Sequence, residues 1–361
     1  MKDTPLNSLG FLWIGFAGIV ADGLFVWPLH IVVAAGQNAD IVLGIIACWG
    51  LGLALLTPPR PAQTAPWTLI IWGLNLCAVL GVVVLDAVVL SELSGMLQTF
   101  FYFDTPKWAL TTPLLAVVAR AAMRRGNLPW RVTGLWIPPV VFGGAAVLAV
   151  AFTTVHHLRP LEPNSFIAVG SIVNGLGVVA FLGLPAGVTL RLGGSILAKP
   201  PRWTWRMAVV GLPIVFFLVL YVLAMGSLGP DAAMQIRWPL VFSLDHVTLD
   251  STFFVSRIGI MVILGWTLAM AVGFIVHLRL LQWVIGAHWP HASRGAPLVV
   301  VGWWWIASLL IASPETASRL ILRWIDPAVP FYLIPEVLVL MISRLPRGRL
   351  SRHSPATVRH D

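Results

Sequence analysis

Three acids stand inside long apolar runs: Asp22, Asp86 and Glu336. A charge placed in hydrocarbon costs about 2.5–3.5 kcal/mol on the insertion scale, so each acid is a candidate for ligand binding, proton handling or ion pairing. Glu92 and Arg257 lie nearer the ends of their runs. Arg257 needs a carboxylate at its depth, and Glu92 or Asp250 would serve. Asp22 sits in Gly18-Ile19-Val20-Ala21-Asp22-Gly23-Leu24, with Pro28 shortly after. Gly, Asp and Pro each weaken or remove helical hydrogen bonds, so the segment predicts an interrupted helix. Such a break is tolerated at membrane depth only beside a cavity or within protein. Two readings stay open: a cavity at the break, or a kink with Asp22 satisfied by neighbouring backbone. Asp86 either pairs with a base, lines that cavity or makes a helix–helix hydrogen bond. Glu336, beside Pro335, is read as a packing or partner residue.

Catalytic signatures are missing: there is no Walker loop, no His-Glu-x-x-His and no Gly-x-Ser-x-Gly. His288 and His291 lie three apart with no third ligand near them in sequence. No metal site, no cofactor and no enzymatic activity are expected.

The elements that hold these residues follow from composition. The chain has 361 residues, 58% hydrophobic and 10% charged, against roughly 25% charged in a soluble domain. Mean hydropathy is +0.89. Soluble, disordered and disulfide-stapled classes are excluded. Cys48 and Cys77 lie in apolar runs and are expected as small core residues. The apolar runs are continuous rather than alternating, which excludes a β-barrel. The expected fold is all-α and polytopic, with about ten spans of roughly 20 residues: 9–34, 39–56, 67–90, 108–123, 130–153, 166–190, 207–228, 253–276, 297–312 and 327–343. The fourth and ninth are short. Between the seventh and eighth, the stretch from Gly229 to Thr252 is expected on the outer side with a short interfacial helix.

With both termini cytoplasmic, only Lys107, Arg159, Arg237, Arg257, Arg319 and Arg323 face outward, and the other 17 of the 23 basic residues face the cytoplasm. The net charge of +9 is therefore loop charge facing anionic lipid, and no nucleic-acid partner is implied. Residues 1–343 form one transmembrane domain, and 344–361 a basic cytoplasmic tail. Many of the 18 tryptophans fall at span ends, as interface anchors do.

The sixth span carries a second interruption: Gly170-Ser171-Ile172-Val173-Asn174-Gly175-Leu176-Gly177, then Gly183 and Pro185. Spans one and six correspond in two five-helix halves, about 9–153 and 166–343. Matching Gly/Pro interruptions are the pointer to an inverted-repeat site, although glycine-rich faces also serve close helix packing. The candidate ligand-binding residues are Ala21, Asp22, Gly23 and Leu24 on span one and Asn174, Gly175 and Gly177 on span six.

Several stretches, in order, carry a family resemblance. Ala21-Asp22-Gly23-Leu24-Phe25-Val26-Trp27-Pro28 and Ala35-Gly36-Gln37-Asn38-Ala39 open the set. Leu90-Ser91-Glu92, Asp104-Thr105-Pro106, Arg237-Trp238-Pro239, and Arg257 with Trp266 follow. The chain resembles the spore germination permease family, the B subunit of the nutrient germinant receptor, similar in turn to amino acid–polyamine–organocation transporters. It departs at Ala21 and Asp22, at Asp40 where tryptophan is usual, at Ser91, at Gly259 and near Val178, where a glutamate is expected. The resemblance implies a LeuT-like five-plus-five inverted repeat with interrupted first and sixth helices. It also implies a sensor in the spore inner membrane, working with a larger A subunit and a lipoprotein C subunit. The ligand would be a small nutrient, most often an amino acid, with Trp266 closing one wall. The rivals are a secondary transporter of amino acids or amines, a membrane enzyme acting on lipid or cell-wall precursors, and a scaffold whose acids merely pair between helices.

Overall fold

The computed structural model describes residues 7–21, 27–57, 68–124, 128–154, 168–176, 185–191, 197, 201–245, 258–311 and a few positions between 316 and 341. Among these, every element is helical: α1 (Ser8–Ala21), α2 (Trp27–Ala35), a 3-10 turn (Gly36–Asn38), α3 (Ala39–Leu56), α4 (Thr68–Phe100), α5 (Lys107–Met123), α6 (Leu128–Thr154), α7 (Val169–Leu176), α8 (Trp203–Leu228), α9 (Pro230–Gln235), α10 (Pro239–Asp245), α11 (Ile258–Gly286) and α12 (Pro290–Leu310). Residues 185–191 are helical as well. Five helical stretches are long and apolar enough to cross a membrane: His30–Leu56, Leu69–Phe100, Trp130–Phe152, Trp203–Leu228 and Met261–Gly286. The last four are continuous helices of about 30 Å or more, and His30–Leu56 turns at Gly36 between α2 and α3.

The predicted spans that fall on described residues coincide with helices, with informative differences at their ends. α4 runs ten residues past Leu90 and α11 ten past Val276; Glu92 and His277 on these extensions find partners within the protein. The short ninth span gains length from Pro290, seven residues before the predicted start, since proline at a first helical position forfeits no hydrogen bond. The stretch after Gly229 does hold short helices, α9 and α10. Asp22, Gly23, Leu24, Gly177, Val178, Arg257 and Glu336 lie outside the described residues, as does nearly all of 327–343.

α11 is the hub. It packs on α1, α4, α5, α6, α10 and α12. In α4 and α11, 67% of the most apolar window is buried, against 22% in α6, which places α6 at the periphery facing lipid. Gly273 lets α11 touch α1: a Cβ there would overlap the Ala21 methyl and come within 2.8 Å of the Ala17 carbonyl. The turn between α2 and α3 needs Gly36, whose φ of 56° an L side chain resists. That explains the glycine of Ala35-Gly36-Gln37-Asn38-Ala39. Trp303-Trp304-Trp305 divides by face: Trp304 is fully buried and donates through Nε1 to the Val83 carbonyl at 2.7 Å, while its neighbours are exposed. Cys48 and Cys77 are both free thiols, but they face outward from the bundle and not into its core. At these two positions a small residue on a lipid-facing surface gives the same apolar pattern as a core one.

Candidate functional site

Asp86 does have a basic partner. It lies on α4, fully buried, and His277 of α11 is 1% exposed. The imidazole Nδ1 sits 3.0 and 3.1 Å from the two carboxylate oxygens, and Nε2 sits 3.1 Å from the Gly18 carbonyl of α1. The donor roles follow from the partners. A carbonyl only accepts, so Nε2 carries a hydrogen. One further proton must then lie between Nδ1 and the carboxylate, whichever atom holds it. The pair is neutral as a unit, which a dry interior requires. Gly18 is the fourth residue from the end of α1, where helical carbonyls run out of intrahelical donors. Its missing side chain admits the imidazole: a Cβ would meet Thr189 Oγ1 at 3.1 Å and Nε2 at 3.4 Å. One dyad thus ties the end of α1 to α4 and α11.

Glu92 lies one and a half turns further along α4 and pairs with Arg237, between α9 and α10. Arg237 Nη2 is 3.0 and 3.3 Å from its carboxylate oxygens. Arg257 and Asp250, the pairing expected for Arg257 by depth, lie outside the described residues; Arg237 reaches Glu92 from 145 residues away. The guanidinium stacks 4.9 Å from the Trp238 ring, which in turn touches Phe100 of α4. Nearby, Lys107 Nζ (2.8 Å) and Ser91 Oγ (3.3 Å) donate to the carbonyl of Ile311, at the end of α12. The stretches Leu90-Ser91-Glu92 and Arg237-Trp238-Pro239, distant in sequence, form one cluster.

A cavity of about 270 Å³ lies between α1, α6, α8 and α11. Phe16 and Val20 line it from α1, Trp136 from α6, Phe216 from α8, and Met261 and Trp266 from α11. Its walls are almost wholly apolar. Ala21 directly follows Val20 and is buried against α11, outside the lining. α7 packs elsewhere, on α2 and α3. Gly175 is buried there, where a Cβ would stand 2.8 Å from Ala35 and Val42, and Asn174 is exposed. Among the described residues, then, Trp266 shares a cavity with the end of α1, but Asn174 and Gly175 do not join it. Reading intramembrane acids alone left out His277, which stands one residue beyond the predicted end of its span. A histidine inside an otherwise apolar helix was the available signal. Arg237 was read as outer loop charge and as part of the Arg237-Trp238-Pro239 stretch, not as the partner of Glu92.

These features define an integral membrane protein: a helical bundle in which the buried acids Asp86 and Glu92 are paired with basic side chains from distant segments. The family model described as spore germination protein (Spore_permease) matches residues 66–287, and the chain belongs to that family. Membership sets it among permease-like membrane proteins and not among enzymes. Of solved structures, the chain is similar to the inward facing conformation of Mhp1, at 13% identity and a TM-score of 0.47, covering 95% of this chain and 78% of that one. No curated protein matches it.

Proposed function

We propose that the chain is the membrane subunit of a nutrient germinant receptor, sensing a small nutrient, most simply an amino acid, in a transporter-like pocket of a five-plus-five repeat. The observation that carries the reading is the apolar cavity at the end of α1, walled by Val20 and Trp266. A ligand's side chain would rest against Phe16, Val20 and Trp266, and its polar ends would meet the backbone from Ala21 to Leu24 and Asp22. A carboxylate favours an amine, and half-helix N-termini favour a carboxylate. The His277 contact on Gly18 would let occupancy of the α1 end bias a two-state packing of α1 against α4 and α11. A ligand drives such a shift only by preferring one state. The signal would pass to a larger A subunit and a lipoprotein C subunit in the spore inner membrane. Asn174 and Gly177 would belong to the matching break in the second half.

The test is thermal unfolding of the purified full chain across amino acids, sugars and nucleosides. A ligand at 100 times its Kd stabilises by about 2.7 kcal/mol. A selective shift that Trp266→Ala or Asp22→Asn removes is the expected result. A shift unchanged in both variants would place the ligand elsewhere. Secondary transport is the alternative function, and accumulation of labelled ligand by proteoliposomes would decide for it.

A further inference from the structure

A second cavity, of about 570 Å³, opens where α5 ends, α6 begins, α11 ends and α12 begins. Arg279 and Gln282 of α11 and Ser293 and Arg294 of α12 supply its polar lining, and Met123 and Trp130 flank them. Among the described residues neither arginine has a carboxylate partner. Arg279 buries Nε and Nη2 without an acceptor, and Gln282 buries Oε1 without a donor. Buried donors left unmade are costly, and more so when charged. α12 begins at this cavity with Pro290 in its first turn, so its leading N–H groups add positive potential to the same place. A guanidinium fork fits the oxygens of a phosphate, and a bare acceptor beside it calls for a hydroxyl.

We propose that this cavity binds a hydroxyl-bearing phosphate ester. Arg279 and Arg294 donate to the phosphate oxygens, and Gln282 Oε1 accepts from the hydroxyl. The volume lies within the roughly 300–1,000 Å³ of small-molecule sites. The same chemistry comes from two sources: the headgroup of an anionic glycerophospholipid, or a soluble polyol phosphate. The site is independent of the nutrient pocket, which lies between other faces of α6 and α11.

The experiment uses the full chain in phosphatidylcholine nanodiscs, with and without phosphatidylglycerol, and with glycerol phosphate or inorganic phosphate as soluble probes. Binding is read by thermal shift and by native mass spectrometry of retained lipid. Phosphatidylglycerol or glycerol phosphate should bind, and Arg279→Gln and Arg294→Gln should each weaken binding about tenfold, the loss of one charge-assisted contact. Arg202→Gln, at the exposed start of α8, should leave binding unchanged. Gln282→Leu should bind glycerol phosphate no better than inorganic phosphate. Binding of the lipid alone assigns the headgroup as ligand, and binding of glycerol phosphate alone assigns the soluble ester. If Arg279→Gln does not fold, Arg294→Gln and Arg279→Lys carry the comparison, the lysine variant retaining charge but losing the fork. Binding of neither ester, or an equal loss in Arg202→Gln, would overturn the proposal, the latter by reducing it to diffuse surface charge.

Discussion

His277 can keep both of its contacts only while one proton lies between Nδ1 and Asp86. This makes the two members of the dyad unequal under substitution. In Asp86→Asn, the amide N–H donates to Nδ1 of a neutral imidazole, and Nε2 still donates to Gly18. That variant should melt close to the parent, within about 1.5 kcal/mol, the worth of one hydrogen bond. His277→Leu takes the imidazole away from the buried Asp86 carboxyl and the Gly18 carbonyl together, and removing one partner of a buried pair costs about 3–5 kcal/mol. Thermal unfolding in detergent should therefore rank parent and Asp86→Asn together, well above His277→Leu. Equal losses in the two variants would mean that the charge of Asp86, and not the shared proton, holds the contact. Glu92 behaves differently, because Arg237 cannot give up its proton. Arg237→Leu leaves Glu92 buried without its ion-pair partner, with Trp238 and the Lys107 charge still beside it, so adding Glu92→Gln should recover part of the lost stability. A double-mutant cycle with no coupling would contradict the 3.0 Å pair.

At the scale of elements, α1 and α11 meet through Gly273, and a methyl there has two obstacles of different kinds. One is the Ala21 side chain, which a second substitution can remove. The other is the Ala17 carbonyl at 2.8 Å, which is backbone. Gly273→Ala should cost about 1–3 kcal/mol, as overpacking does, and Ala21→Gly should restore only part of it. Full rescue, measured as melting temperature, would show that α1 is free to slide on α11. The helices themselves were legible in the sequence, since apolar runs of this length have few alternatives. Their ends were not. Hydropathy falls at Ser91-Glu92 and again at His277 and Arg279, yet α4 and α11 continue. Helix geometry is indifferent to side-chain polarity once Arg237 and Asp86 supply partners from distant segments, and those partners are tertiary facts. The same blindness applies to the site. Trp266 could be placed on a wall, but the packing of Gly175 against Ala35 and Val42 depends on where α7 docks, which a glycine-rich sequence leaves open.

For the whole molecule, the question is which end of the bundle faces the cytoplasm, and the connection between α4 and α5 gives a clean test. α4 ends at Phe100 and α5 begins at Lys107. The turn between them is held by Gln98 Nε2 donating to the Thr105 carbonyl and Thr105 N–H to the Tyr102 carbonyl. Asp104 is exposed in that turn, and Arg124 is exposed at the far end of α5. Seventeen helical residues rise about 25 Å, short of the full hydrocarbon thickness, so α5 crosses only with Lys107 and Arg120 reaching to the two surfaces. From the distribution of basic residues, Arg124 and Arg202 are expected inside and Asp104 outside. In a background with Cys48 and Cys77 replaced by alanine, Asp104→Cys should react with a membrane-impermeant maleimide on intact cells. Arg124→Cys and Arg202→Cys should react only after permeabilisation. Labelling of Arg124→Cys alone on intact cells would invert the protein and move the Arg279–Arg294 cavity to the outer surface. Labelling of both ends of α5 from one side would show that α5 does not cross, and every later helix would then change direction.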